Sequence, residues 1–93
     1  MAYYETMDTR RNRRNFTEYE ALLIGEAIGI DWKTSKFDIK QFRMGLDVEL
    51  EHGLKYPKTN ITFNNPIMTG KIALVHLNEL NDYYYRLKKM EQG

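Results

Sequence analysis

Cysteine is missing from these 93 residues. That excludes disulfides, thiolate metal sites and a cysteine nucleophile, and it fits a reducing compartment. Serine occurs once, as Ser35 in a polar loop with no histidine nearby in sequence, which is not a nucleophile signature. Net charge is equally scarce: 14 Lys+Arg against 13 Asp+Glu leave +1, so bulk charge recruits neither nucleic acid nor an anionic membrane. The longest apolar runs, Ala21–Ile24 and Ile72–Val75, are far too short to span a bilayer. No basic-then-apolar leader opens the chain, so the expectation is a cytoplasmic or virion protein and not one exported by a signal peptide. Thr69-Gly70-Lys71 is not a phosphate loop, because Asn65 stands where a glycine is needed.

What is present is one small globular domain. Apolar residues at 42% and aromatics at 13% exclude a wholly disordered chain, and the length leaves no room for two domains. A core this small is marginal by itself, so help from a partner, a metal or oligomerisation is expected. The charge is not spread evenly. Residues 1–16 carry +2, residues 17–54 carry −4 and residues 55–93 carry +3, so opposite blocks can complement one another within a chain or between copies.

The first 16 residues show neither helical nor strand periodicity and read as an extended basic arm, with the helical domain covering 17–93. Helix starts are legible after that. Thr17-Glu18-Tyr19-Glu20 is a capping box, and the helix it opens is expected to stop at Gly29. Asp38-Ile39-Lys40-Gln41 is a second box, with Phe37 and Phe42 placed as a hydrophobic staple. That helix is expected to run to His52 and stop at Gly53. Asn65-Pro66 fits an N-cap followed by proline at the first helical position, opening a third helix to about Leu80. A short fourth helix covers Asp82–Glu91. With no alternating segment, the fold class is all-α, a small bundle of about four helices.

On helical wheels, Lys40, Arg43, Asp47 and Glu51 form the solvent stripe of helix 2, while Glu49 and His52 fall between apolar flanks. Lys71 and Asn78 mark a narrow exposed stripe on helix 3; Met68, Ile72, Ala73, Val75, Leu77 and Leu80 occupy the rest, and His76 and Glu79 fall within that broad arc. The two histidines therefore form Glu49-x-x-His52 and His76-x-x-Glu79. Buried carboxylates are costly unless paired. One explanation is a divalent metal site for Fe, Mn or Zn, because Glu-x-x-His is the half-motif of di-iron carboxylate bundles. The other is a Glu–His network locking helix 2 against helix 3.

Arg10, Arg11, Arg13 and Arg14 are the candidate nucleic-acid contacts, with Tyr3, Tyr4 and Phe16 available for stacking. The competing reading has the arm lying against an acidic patch of a partner or of another copy. Tyr83, Tyr84 and Tyr85 cannot all face the core, so at least one is expected in an interface. Trp32 is expected to plug the core over the helix ends.

The words Phe42-Arg43-Met44-Gly45-Leu46-Asp47-Val48-Glu49-Leu50-Glu51-His52-Gly53 and Thr69-Gly70-Lys71-Ile72-Ala73-Leu74-Val75-His76-Leu77-Asn78-Glu79, with Gly29-Ile30-Asp31-Trp32 before them and Asp82-Tyr83-Tyr84 after, carry a resemblance. Over about Leu22–Met90 the chain resembles a family of small proteins of unknown function, common in bacteriophage and bacterial genomes. Two departures stand out: Asn81 replaces an expected proline, and Asn64-Asn65 replace expected acidic residues. The resemblance implies a phage context and little chemistry. The sequence thus points to a non-enzymatic accessory or structural protein, such as a virion component, that binds another protein or copies of itself. Two alternatives stay open: a metal-binding protein, with or without catalysis, using Glu49, His52, His76 and Glu79, and a nucleic-acid accessory acting through the arm.

Overall fold

The Thr17 hydroxyl accepts the Glu20 backbone N–H at 3.0 Å, and the Glu20 carboxylate accepts the Thr17 N–H at 2.9 Å. This closed capping box opens α1 (Glu18–Ala27) and contributes about 1 kcal/mol. The computed structural model describes residues 15–55 and 65–92. The expected contacts Tyr3, Tyr4, Arg10, Arg11, Arg13 and Arg14 lie outside them. At its far end α1 closes as the glycine predicts. Gly29 adopts φ 97°, its N–H reaches the Glu26 carbonyl at 3.1 Å, and the Ile30 N–H reaches Gly25 at 2.8 Å. That pair of bonds satisfies carbonyls which the helix itself leaves orphaned.

Of the span 1–16 the structure describes residues 15 and 16, and the second belongs to the core. Phe16 is a core residue, 4% exposed, and its N–H donates to the Asp47 carboxylate at 2.7 Å. It stands just before the N-cap and shares the core with Ala21, the arrangement of a hydrophobic staple. A truncation meant to remove only the arm therefore ends at Arg14. Asp47 is correspondingly not a purely solvent-facing residue. It pairs with Arg43 at 3.2 Å as the spacing predicts, and it also holds the entry to α1.

The second helix, α2 (Ile39–Lys55), buries Phe42, Leu46 and Leu50. The Asp38 carboxylate caps it by accepting the Gln41 N–H at 2.8 Å. Phe37 stacks on Phe42 with ring centroids 6.4 Å apart, which is the expected staple. Trp32 meets both rings edge-on and donates its indole N–H to the Leu22 carbonyl at 3.1 Å. The predicted stop at Gly53 is not where the helix ends. Gly53 is buried and helical, and α2 continues to Lys55. Leu54 follows Leu50 by one turn and packs on the core, which offsets the roughly 1 kcal/mol that glycine costs inside a helix.

Asn65 caps α3 (Pro66–Glu79) by accepting the N–H groups of Ile67 and Met68 at 2.8 and 3.1 Å. Asparagine thus performs here the N-cap role open to an acid. Where α2 and α3 cross, Phe42 approaches Gly70 and Gly45 approaches Ala73, while Glu49 approaches His76. The contacts advance along both helices together, so the two run in the same sense. A short link forces antiparallel neighbours; the connection 56–65 is long enough to avoid that.

The last helix, α4 (Tyr83–Gln92), starts from a neighbour's side chain. Asp82 precedes it, but its carboxylate is engaged with Arg86 at 2.7 Å. The orphan N–H groups of Tyr84 and Tyr85 are taken instead by the buried Gln41 side-chain carbonyl, at 2.9 and 3.1 Å. The Gln41 side chain therefore does not close the box predicted on its own helix. Tyr84 itself is fully buried and lies over Gly45, where an added Cβ would sit 2.6 Å from its ring. Among the described residues the elements are four helices and no strand, an all-α fold.

Two substitutions separate the satisfied buried polar group from the unsatisfied one. Gln41→Ala leaves two helix N–H groups without an acceptor and is expected to lower stability by about 1–3 kcal/mol. Thr69 is fully buried and its hydroxyl makes no hydrogen bond among the described residues. Thr69→Val keeps the shape, removes the orphan, and is expected to raise stability by up to about 1 kcal/mol. Urea midpoints of the two variants against the parent chain read both effects.

Candidate functional site

The two Glu–His pairs do not assemble as two equivalent units. Glu49 is nearly enclosed, with its side chain 11% exposed, whereas the His52 side chain is 56% exposed. His76 is half-buried and Glu79 is exposed. A three-residue step turns a helical side chain through about 300°, so the second member of each pair falls about 60° short of the first. In α3 that rotation carries Glu79 out toward solvent. In α2 the buried Gln41 and Gly45 lie on the same side as His52, which is open because it stands in the last turn of the helix.

The polar centre is therefore a single carboxylate. Glu49 accepts the Tyr84 phenol O–H at 2.8 Å, and that hydrogen bond joins α2 to α4. His76 Nε2 stands 3.6 Å from the same oxygen, and His52 Nδ1 stands 3.9 Å from the other. Both separations are too long for hydrogen bonds. His76 is held chiefly by its ring: it stacks on Tyr83 at 4.6 Å with planes 7° apart and meets Tyr84 edge-on. The cluster braces α2, α3 and α4, but Glu79 has no part in it and forms no ion pair among the described residues. Nor, among those residues, does any group of three His, Asp or Glu stand where it could hold a metal ion.

The three tyrosines separate by role. Tyr84 is not available to a partner, because it is the largest fully buried side chain. Tyr83 is half-buried against His76. Only Tyr85, at 41% exposure, presents a ring to solvent, with its O–H 3.4 Å from Asp38.

A groove of about 770 Å³ opens between the α1–α2 loop and the end of α3, with Ile30, Phe37, Leu74 and Leu77 among its apolar lining. Ser35 stands on its rim, but its hydroxyl donates to the Phe37 carbonyl at 2.8 Å. No histidine lines the groove among the described residues. A serine engaged with a backbone carbonyl and lacking a base is not an activated nucleophile.

The outer face of α3 departs most from the sequence expectation. Its core face is Pro66, Thr69, Gly70, Ala73 and Leu77. Opposite stand Met68 at 41% and Val75 at 54% exposure, with Ile72 half-buried between them. Both Met68 and Val75 were expected in a broad buried arc; no other helix of the described residues covers that side. A wheel of α3 is apolar nearly all round, so its periodicity does not say which side is left open. Gln41 escaped the sequence reading for a different reason: its spacing from Asp38 already explained it.

Tyr84 makes a pH prediction with a definite sign. Burial, first, and then the charge and hydrogen bond of Glu49 push its phenol up from the ordinary tyrosine value. Its contribution is complete below about pH 10, the unfolded value, and is lost as pH rises beyond it, by up to about 1.4 kcal/mol per pH unit. Tyr84→Phe is expected to cost about 1–2 kcal/mol at neutral pH yet to flatten that alkaline slope. Urea denaturation between about pH 8 and 11 checks both.

No curated protein and no solved structure matches the chain. A family model described as "Protein of unknown function (DUF5661)" matches residues 21–93. The matched span takes in α1 from Ala21 onward and the whole of α2, α3 and α4, and so the Glu49 cluster, the groove and the outer face of α3. The chain belongs to the DUF5661 family of proteins of unknown function.

Proposed function

We propose that this chain is a small, non-enzymatic protein-binding accessory, encoded by phage and assembled with other proteins of a virion. The observation that carries the reading is the open apolar face of α3. Met68, Ile72 and Val75 lie on one side of a helix whose other side is fully committed to the core. Exposed apolar clusters rimmed by polar residues mark interaction surfaces, and here Lys71, Asn78 and Glu79 form the rim.

The interior supports the same reading. The titratable cluster around Glu49 is built from Tyr84, Tyr83 and His76, which clamp three helices together. Its groups are engaged with each other rather than directed into the groove. The arm, with four of the six arginines, supplies a second contact of opposite charge to the acidic block of residues 17–54. The phage and virion context rests on the family resemblance, and the binding role on the face.

A photo-crosslinking residue at position 75 tests the reading in cells that carry the protein. Discrete crosslinked protein species are expected from position 75, and none from position 88 on the exposed side of α4. Identical patterns from the two positions would remove the face as a binding surface. Recovery of the chain in purified particles tests the virion assignment separately.

A further inference from the structure

The two charges on the outer face of α3 are placed in an unusual way. Lys71 lies one turn before Val75 and Glu79 one turn after, and all three are exposed. Neither charge has a Lys, Arg, Asp or Glu of opposite sign three or four residues away along the helix, where helical ion pairs form; His76, three residues before Glu79, is stacked on Tyr83. Neither forms an ion pair among the described residues. On the helix surface they sit about 6 Å to either side of Val75 along the axis and about 40° to either side around it.

That arrangement is self-complementary. Consider a second α3 laid antiparallel against the first, with a two-fold axis through Val75. The axis reverses position along the helix and keeps each charge on its own flank, so the two Lys71–Val75–Glu79 rows align end for end where the helices cross at about 50°, the angle at which i, i+4 rows of two helices run alongside one another. Lys71 of one copy then faces Glu79 of the partner subunit, and the reverse pair forms at the other end. Two Val75 side chains meet at the centre. A dyad requires a patch to complement itself, and this face does so in both charge and apolarity.

From this we infer that the outer face of α3 pairs with the same face of a second copy, forming a two-fold antiparallel dimer. The inference rests on the protein-binding reading of this face and names its partner. Glycine, threonine and alanine fill the opposite side of α3, so the core face lies close against α1 and α2. The longer side chains are kept for the outside. One 14-residue helix is about 21 Å long and buries an area at the low end for specific complexes. The dimer is accordingly weak, forming at micromolar or higher concentration.

Sedimentation equilibrium on the purified full chain, from about 10 µM to about 1 mM, tests it. A monomer–dimer equilibrium is expected for the parent chain. Val75→Asp buries two like charges at the dyad and is expected to weaken association by about tenfold or more, with the helical circular dichroism unchanged because the site is exposed. Lys71→Glu and Glu79→Lys each place like charges opposite at both ends and should each weaken it by about fivefold. The double variant Lys71→Glu/Glu79→Lys should restore it to within about twofold of the parent. Single variants that leave dimerisation unchanged overturn the inference, as does a double variant weaker than either single one. A chain that stays monomeric at the highest concentration overturns it too. In that case crosslinks from position 75 to other proteins would still uphold the protein-binding reading.

Discussion

A single buried phenol sets the relations among three helices. Tyr84 is the largest fully buried side chain, and it fits only because Gly45 leaves room for its ring. Its O–H must find an acceptor inside the protein, and Glu49, one turn beyond Gly45 on the same helix, supplies it. The carboxylate in turn is shielded by His76 from α3, whose ring is held by Tyr83. The backbone of Tyr84 is fixed as well, because Gln41 accepts its N–H. Glycine, glutamine and glutamate on α2 thus receive one residue of α4 at three points.

The consequence for the rest of the chain is that α4 needs α2 to begin. Its last turns carry Lys88, Lys89 and Met90 at the surface, and its anchoring is concentrated at its start. Short helices are marginal in water without tertiary contacts, and here those contacts are a capping glutamine and a buried tyrosine. The same economy governs α3, where small residues bring the backbone close to α1 and α2. With Met68 and Val75 directed outward, α3 is at once a core element and an exposed apolar surface.

Much of this was legible in the chain, and the legible parts are local. The Thr17–Glu20 box, the Gly29 stop, the Asn65–Pro66 start and the Phe37–Phe42 staple each depend on residues within a few positions of one another, so spacing is sufficient. The failures have a common form. Gly53 resembles a stop but lies inside α2, because burial of Leu54 outweighs its propensity. His52 and Glu79 share a pattern with Glu49 and His76 but not their surroundings: three residues fall about 60° short of a full turn, which turns Glu79 outward, while His52 stands in the open last turn of α2. Arg43–Asp47 was read from its spacing, but the capture of the Phe16 N–H by Asp47 was not, since it joins residues 31 positions apart.

The sequence by itself determined the helices, their caps and the all-α class, because those follow from interactions along three to five residues of backbone. Only the tertiary structure decided which carboxylate is the polar centre, which tyrosine is core, and which side of α3 remains open. Each of these depends on where another helix lies, and a helical wheel records angles around one axis without recording its neighbours. Gln41 shows the limit most plainly. Its backbone N–H belongs to the local cap that the sequence predicts, while its side chain serves a helix that begins more than forty residues later.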